Sequence, residues 1–247
     1  LIHVERLWAD DVATVEGKKP SLAAWATEPS ALDELLQKYV EELLDSPEHG
    51  PTLVQYLAHY LAAYKPPEQF GSLHEYAQHV KSQDLRTLRG ERVNSHEEVM
   101  IANWLFLNGI SYRYEAKYPH DTATIQHRQY QPDFYLPDHD LYIEHFGIDR
   151  NGRTAPWVDQ ADYARTMAWK RELHQRHKTK LVETFSYERR EGMLLSALEA
   201  KLRKHGVTPK SLSPDVVREQ MSQGGYITRL AKLIGTFLGH YKSNRHD

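Results

Sequence analysis

The chain has 247 residues and a mass of 28.8 kDa, which is long enough for one large domain or two ordinary ones. Apolar residues make up 40% of the sequence and charged residues 26%, as in globular proteins. Its 31 Lys and Arg against 34 Asp and Glu give a net charge of −3. This balance excludes a strongly basic nucleic-acid coat protein and an acidic disordered tail.

The chain contains no cysteine, which excludes disulfides, thiolate zinc sites and cysteine nucleophiles. No run approaches the roughly 20 apolar residues of a membrane-spanning helix, so we expect no membrane partner. The first residues resemble neither a signal peptide nor an initiator start. We therefore expect a cytoplasmic piece of a longer protein.

Residues 1–90 carry a net charge of −6 and have the pattern of a helical packing module. Ser30 is placed to cap a first helix, and Pro51 suits the first turn of a second. Ser72 and Glu75 have the capping-box spacing that opens a third. No group of His or carboxylates in this segment suggests chemistry. We predict that residues 1–90 form a helical accessory subdomain.

The periodicity changes from about residue 91. A helix with an apolar face runs from Ser95 to Asn108 and closes at Gly109. The elements predicted after it are strands at Ile110–Tyr118, Gln129–Leu136 and Leu141–Phe146, a helix at Asp159–His177, a strand at Leu181–Phe185 and a helix at Gly192–His205. This order predicts an α/β (α+β) domain over residues 91–205.

Residues 206–247 are predicted to form C-terminal helices that pack with the accessory subdomain. One helix begins at Ser213-Pro214 and another covers Tyr226–Tyr241. Residues 199–247 carry a net charge of +5. This charge could follow a phosphate backbone, although a solvated basic face explains it more simply.

Two carboxylates in the middle segment carry the chemical signal. Asp133 lies in one predicted strand and Glu144 in the next, with turn residues between the strands. A hairpin would direct both carboxylates from the same face of the sheet, near the same end. Carboxylates held together repel each other unless a cation is present, and oxygen ligands of this kind suit Mg²⁺ or Mn²⁺. A metal-bound water of lowered pKa could then attack a phosphodiester.

Glu98 opens the preceding helix and could reach the same region. Ser95 and Glu98 also have the spacing of a capping box, which explains both residues without a metal. Both interpretations stay open.

These residues resemble the PD-(D/E)xK nuclease superfamily, whose restriction-endonuclease-like core is αβββαβ. Over residues 85–190 the resemblance extends to the nuclease-type insert of UvrD/Rep-like superfamily I helicases, the group that contains DNA helicase IV. The matching motifs are Ser95-x-x-Glu98-x-x-Ile101-Ala102, Tyr112-x-Tyr114-Glu115, Tyr130-x-Pro132-Asp133-Phe134, Tyr142-Ile143-Glu144-x-x-Gly147 and Tyr163-x-x-x-Met167-x-x-Lys170-Arg171. The flanks resemble the helical subdomain that surrounds such inserts.

The resemblance implies a metal-dependent deoxyribonuclease domain. Asp133 and Glu144 become metal ligands, and the backbone carbonyl of His145 becomes a third. Glu98 becomes the helix carboxylate that orients a water or a second ion. DNA and the helicase motor domains of the parent chain become the partners. Mg²⁺ or Mn²⁺ is the implied cofactor, and ATP binds only in the motor domains.

The sequence departs from the family at the lysine of its E-x-K motif. That position holds Phe146, which cannot activate water or stabilise negative charge. Lys170, on the following helix, is the candidate replacement. Lys170 could equally be one of several exposed cations on that helix.

The sequence contains no G-x-x-x-x-G-K-[ST] phosphate loop, so this chain alone cannot hydrolyse ATP by the helicase mechanism. We predict a DNA nuclease domain with Glu98, Asp133, Glu144 and Lys170 as catalytic residues. The alternatives are a catalytically silent insert that grips DNA, which Phe146 favours, and a protein-interaction domain with the acidic first ninety residues as its surface.

Overall fold

The computed structural model describes residues 29–60, 64–124 and 128–243. They form two compact units, one of residues 47–226 and one that combines 29–46 with 227–243. Residues 1–28 of the predicted accessory subdomain lie outside the described residues. The division does not fall at residues 90 and 205, and the domain assignment itself stays a prediction.

The three predicted N-terminal helices are confirmed as α1 (Pro29–Asp45), α2 (Gly50–Tyr60) and α3 (Leu73–Gln83). A short 3-10 turn, Pro67–Gln69, separates α2 from α3. Ser72 caps α3, since its Oγ accepts a hydrogen bond from the Glu75 backbone N–H at 3.2 Å. The Glu75 carboxylate accepts from Gly71 N, one residue earlier than in a standard capping box.

The middle segment forms a mixed α/β layer in the predicted order of elements. Strand order in the sheet is β1-β2-β3-β4, with the first two pairings antiparallel and the β3–β4 pairing parallel. The elements are α4 (His96–Leu107), β1 (Arg113–Tyr114), β2 (Phe134–Leu136), β3 (Leu141–Phe146), α5 (Gln160–His177) and β4 (Lys180–Phe185). Four helices follow: α6 (Ser186–Arg190), α7 (Leu194–Lys204), α8 (Pro214–Gln223) and α9 (Tyr226–Ser243).

The first two strands are much shorter than predicted. The alternation at residues 110–118 predicted a strand throughout, but only Arg113–Tyr114 is regular. Glu115 has a φ of 46°, a left-handed conformation that ends the strand. Pairing nevertheless continues irregularly beyond it, since Tyr118 N donates to Tyr130 O at 3.0 Å. The two segments therefore still run side by side.

Different helices cover the two faces of the sheet. Ile143 packs with apolar side chains of α4 and α7. Tyr142 and Phe146 pack with α5 on the opposite face. Because successive residues of a strand point to opposite faces, Glu144 lies between Tyr142 and Phe146 on the α5 face.

Two helices meet in the smaller unit. Leu36 and Val40 of α1 are buried, as are Leu230 and Ala231 of α9. A Cβ at Gly235 would lie 3.3 Å from the Leu36 side chain, so α9 approaches α1 closely there. Among the helices of the described ranges, none combines the length and apolar character required to cross a membrane.

Replacing Gly109 with alanine should destabilise the protein more than the same change at Gly90. Both glycines have positive φ, 64° and 81°, which costs an alanine roughly 1–2 kcal/mol. A Cβ at Gly109 would also lie 2.7 Å from the Lys210 carbonyl oxygen, whereas nothing lies within 4 Å at Gly90. Gly109→Ala should therefore cost about 1–3 kcal/mol more in urea unfolding. Equal losses would show that residues 208–212 yield freely at this contact.

Candidate active site

The β2–β3 hairpin places Asp133 and Glu144 on the same face of the sheet. Phe134 pairs with Ile143 in the antiparallel register, and Asp133 and Glu144 follow one position further on. Asp133 accepts a hydrogen bond from the His145 backbone N–H at 2.6 Å, which fixes its carboxylate against β3. The predicted proximity of the two carboxylates is therefore present in the structure.

Glu144 is completely buried and its two oxygens have separate partners. The Lys170 ammonium donates to Oε2, and the Tyr130 hydroxyl donates to Oε1 at 2.6 Å. Burial raises the pKa of Glu144 above its ordinary value, and the charge and hydrogen bond of Lys170 oppose that rise. Lys170 is therefore the main counter-charge of this carboxylate.

Asp133 is surrounded by negative charge. Burial raises its pKa well above the usual value, and the charges of Glu144 and Glu98 raise it further. Lys170 and the His145 N–H act in the opposite direction. Glu144 and Glu98 therefore both lie close enough to Asp133 to repel its charge, and Lys170 is the cation that Asp133 shares with Glu144.

Glu98 caps the start of α4, as the Ser95–Glu98 spacing predicts. Ser95 Oγ accepts from the Glu98 backbone N–H at 3.1 Å and donates to Glu98 Oε1 at 3.0 Å. Glu98 Oε2 accepts from Asn94 N at 3.0 Å and from the Tyr114 hydroxyl at 2.6 Å. Both oxygens thus have structural partners, while the charge of Glu98 still acts on Asp133.

Lys170 extends from α5 towards Phe146 of β3. The Lys170 Nζ lies 5.6 Å from the centre of the buried Phe146 ring. Burial alone would lower the pKa of the Lys170 ammonium, but Glu144 and Asp133 outweigh it and raise that pKa. Lys170 is therefore a charged group at neutral pH rather than one of the solvated cations of the helix.

The His145 side chain takes no part in this cluster. Its Nδ1 lies 2.9 Å from Thr184 Oγ1, and its Nε2 lies 3.3 Å from Ser186 Oγ. Burial, followed by the nearby charges of Lys201 and Arg189, lowers the pKa of His145 to about 3. A neutral imidazole on the other face of β3 leaves only the backbone of His145 near Asp133.

The carboxylates fit a hard divalent cation by their chemistry. Within residues 29–60, 64–124 and 128–243, no three His, Asp or Glu side chains converge closely enough to hold a metal ion. Mg²⁺ requires less than this, because one or two carboxylates with water usually suffice. Asp133 and Glu144 supply such a pair, and a cation would relieve the repulsion that raises the pKa of Asp133.

Sequence analysis missed several polar partners of the cluster: Tyr114, Tyr130, His174 and Thr179. His174 lies four residues after Lys170, so both project from the same side of α5. That spacing is the one signal that could have linked His174 to the site. Tyr114 and Tyr130 belong to the sequence motifs quoted above, but those motifs do not indicate where their hydroxyls donate.

No protein-family model, curated protein or solved structure matches the chain. The site geometry and the sequence resemblance are therefore the grounds on which a function can be proposed.

Replacing Lys170 with methionine should destabilise the protein far more than the same change at Arg171. Lys170→Met leaves the buried Glu144 carboxylate without its counter-charge, which costs about 3 kcal/mol. Arg171 pairs with Glu183 at the surface, where an ion pair contributes less than about 1 kcal/mol. Chemical unfolding at pH 7.5 measures both. Similar losses for the two variants would contradict the assignment of Lys170 as the main counter-charge.

Asp133→Asn should stabilise the protein at pH 8. Because the folded pKa of Asp133 is raised, ionising this group costs folding free energy, and wild-type stability falls as pH rises from the unfolded pKa, about 3.9, through the folded one. Asparagine removes this loss and can still accept from His145 N. Unfolding free energies measured from pH 3 to pH 8 should converge at low pH. Asp138→Asn, at the exposed turn, is the control, and a destabilised Asp133→Asn at pH 8 would refute the repulsion.

Proposed function

We propose that the middle segment is a restriction-endonuclease-like nuclease domain that hydrolyses DNA phosphodiester bonds with Mg²⁺ or Mn²⁺. The observation that carries the proposal is the contact between Lys170 and Glu144 beside Asp133. It brings the three groups of the family motif together although Phe146 occupies the usual lysine position.

The arrangement of elements supports the same proposal. A helix, an antiparallel three-stranded meander, a second helix and a parallel fourth strand succeed one another from α4 to β4. This order agrees with the αβββαβ core that the sequence motifs imply. The carboxylate pair lies where β2 and β3 run side by side, on the face covered by α5.

Each charged residue has a distinct proposed role. Asp133 and Glu144 would hold the divalent cation, with the His145 carbonyl as a further ligand, and the cation would supply a water of lowered pKa. Lys170 stabilises negative charge on the scissile phosphate, because a lysine of raised pKa keeps its proton and is a poor base. Glu98 assists through its charge next to Asp133.

The wider context belongs to the same proposal. The segment acts as an insert of a cytoplasmic superfamily I helicase, and its partners are DNA and the ATP-binding motor domains of the parent chain. The support is the series of motifs from Ser95 to Arg171. The net charge of −3 gives a DNA role no support by itself.

Asp133→Asn should abolish metal-dependent cleavage while leaving the fold intact. Labelled single-stranded and duplex DNA are incubated with Mg²⁺, Mn²⁺ or EDTA. Lys170→Ala should reduce the rate by about 10²–10³-fold, since it removes charge stabilisation. Arg171→Ala, which changes the neighbouring cation, should stay within about twofold of wild type. Cutting by the wild type in EDTA, or cutting by Asp133→Asn in the presence of metal, would refute the proposal.

A catalytically silent DNA-binding insert is the second candidate. Phe146 at the lysine position and the capping contacts of Glu98 favour it. In that case wild type and Asp133→Asn should bind DNA equally without cutting it. Binding should also weaken steeply as salt rises. Binding that is independent of salt would instead favour the protein-interaction domain.

A further inference from the structure

A chain of hydrogen bonds leads from Glu144 to the far end of α5. The Tyr130 hydroxyl joins Glu144 Oε1 to His174 Nε2, at 2.6 Å and 3.1 Å. His174 Nδ1 then lies 2.7 Å from Thr179 Oγ1, and Thr179 Oγ1 lies 2.6 Å from the Tyr118 hydroxyl. Five side chains are thus linked in series, and the buried carboxylate is at one end.

Only one arrangement of protons gives every donor in this chain an acceptor. Tyr130 donates its single proton to the Glu144 carboxylate, so its oxygen accepts from His174 Nε2–H. His174 Nδ1 then accepts from the Thr179 hydroxyl, which accepts from Tyr118. All the donors therefore point towards Glu144, and bonds aligned in one direction strengthen one another.

The surrounding structure fixes the members of the chain. The His174 ring packs against the rings of Tyr118 and Tyr142, with centroids 5.1 Å apart in both cases. Lys178, with a φ of 55°, ends α5, and the Thr179 backbone N–H donates to His174 O at 3.0 Å. This helix end brings the Thr179 hydroxyl within hydrogen-bond distance of the His174 imidazole. The contacts therefore depend on ordinary packing and capping.

We propose that Tyr130 and His174 are positioning residues that orient the Glu144 carboxylate. Tyr130 donates to Oε1, and Oε2 accepts from Lys170. His174 acts through Tyr130, since its own contacts stop one residue short of Glu144. The effect on a bound cation rests on the function proposed above, whereas the coupling between His174 and Glu144 does not.

A double-mutant cycle in unfolding tests this coupling without metal or DNA. The proteins are wild type, His174→Leu, Glu144→Gln and the double variant, and Tyr130→Phe replaces His174→Leu in a second cycle. If this hydrogen-bonded series orients the Glu144 carboxylate, the combined effect on the unfolding constant should be about tenfold smaller than the product of the single effects. Leu198→Ala, on the other face of the sheet, is the control partner and should be additive. Additive effects in both His174 and Tyr130 cycles would overturn the proposal.

Conservative replacement and metal binding provide the second readout. His174→Gln keeps a donor near the Nε2 position and should recover stability to within about threefold of the wild-type unfolding constant, which a packing role alone would not produce. In calorimetry, Tyr130→Phe should weaken Mn²⁺ binding about 10-fold, the effect typical of partners that orient a metal ligand. Wild type that binds no Mn²⁺ would refute the proposed nuclease function, and the unfolding cycles would still decide the role of Tyr130 and His174.

Discussion

The burial of the Glu144 carboxylate is the constraint on which the site depends. A charge without solvent contact is very costly unless it is paired and hydrogen-bonded, and Glu144 obtains both from outside its own strand. Lys170 comes from α5, while Tyr130 comes from the segment that precedes β2. Of the two, Lys170 reaches Glu144 only if α5 lies on the sheet in one register. The polar pair therefore specifies the docking of α5, which apolar packing alone would leave less defined.

Long periodic elements could be predicted from the sequence, but short strands could not. Helix α5 was recognisable from its length, and β3 from the turn residues that separate it from the preceding strand. At residues 110–118 charged side chains alternate regularly with aromatic or small ones, yet Glu115 leaves the strand conformation. Asn94 donates to the Glu115 carboxylate and also bonds the Tyr114 hydroxyl, which holds this turn in place. Contacts between residues about 20 positions apart decide where the strand ends, and the local alternation of side chains does not predict them.

The candidate site likewise contains some features that the sequence predicts and others that it does not. The position of Asp133 relative to Glu144 follows from hairpin register, which a two-residue period and a turn already define. The role of Lys170 was inferred from the sequence resemblance, because nothing in a helix sequence tells which of its cationic side chains turns inward. The hydrogen bonds of Tyr130 and His174 could not be predicted, although Tyr130 lies in a matching motif and His174 lies four residues after Lys170. Aromatic side chains are expected in cores, and their hydroxyl or imidazole partners exist only once the helix has docked.

Glu98 shows why a structural role does not exclude a chemical one. Its oxygens hold the start of α4 and the Tyr114 hydroxyl, which by itself explains the residue. Its charge nevertheless raises the pKa of Asp133, so the cap also contributes to the repulsion within the cluster. A capping carboxylate is rigid because the backbone fixes it, and it cannot turn away from a neighbouring charge. That rigidity allows repulsion to persist at Asp133, and it is this persistent repulsion that a bound cation would relieve.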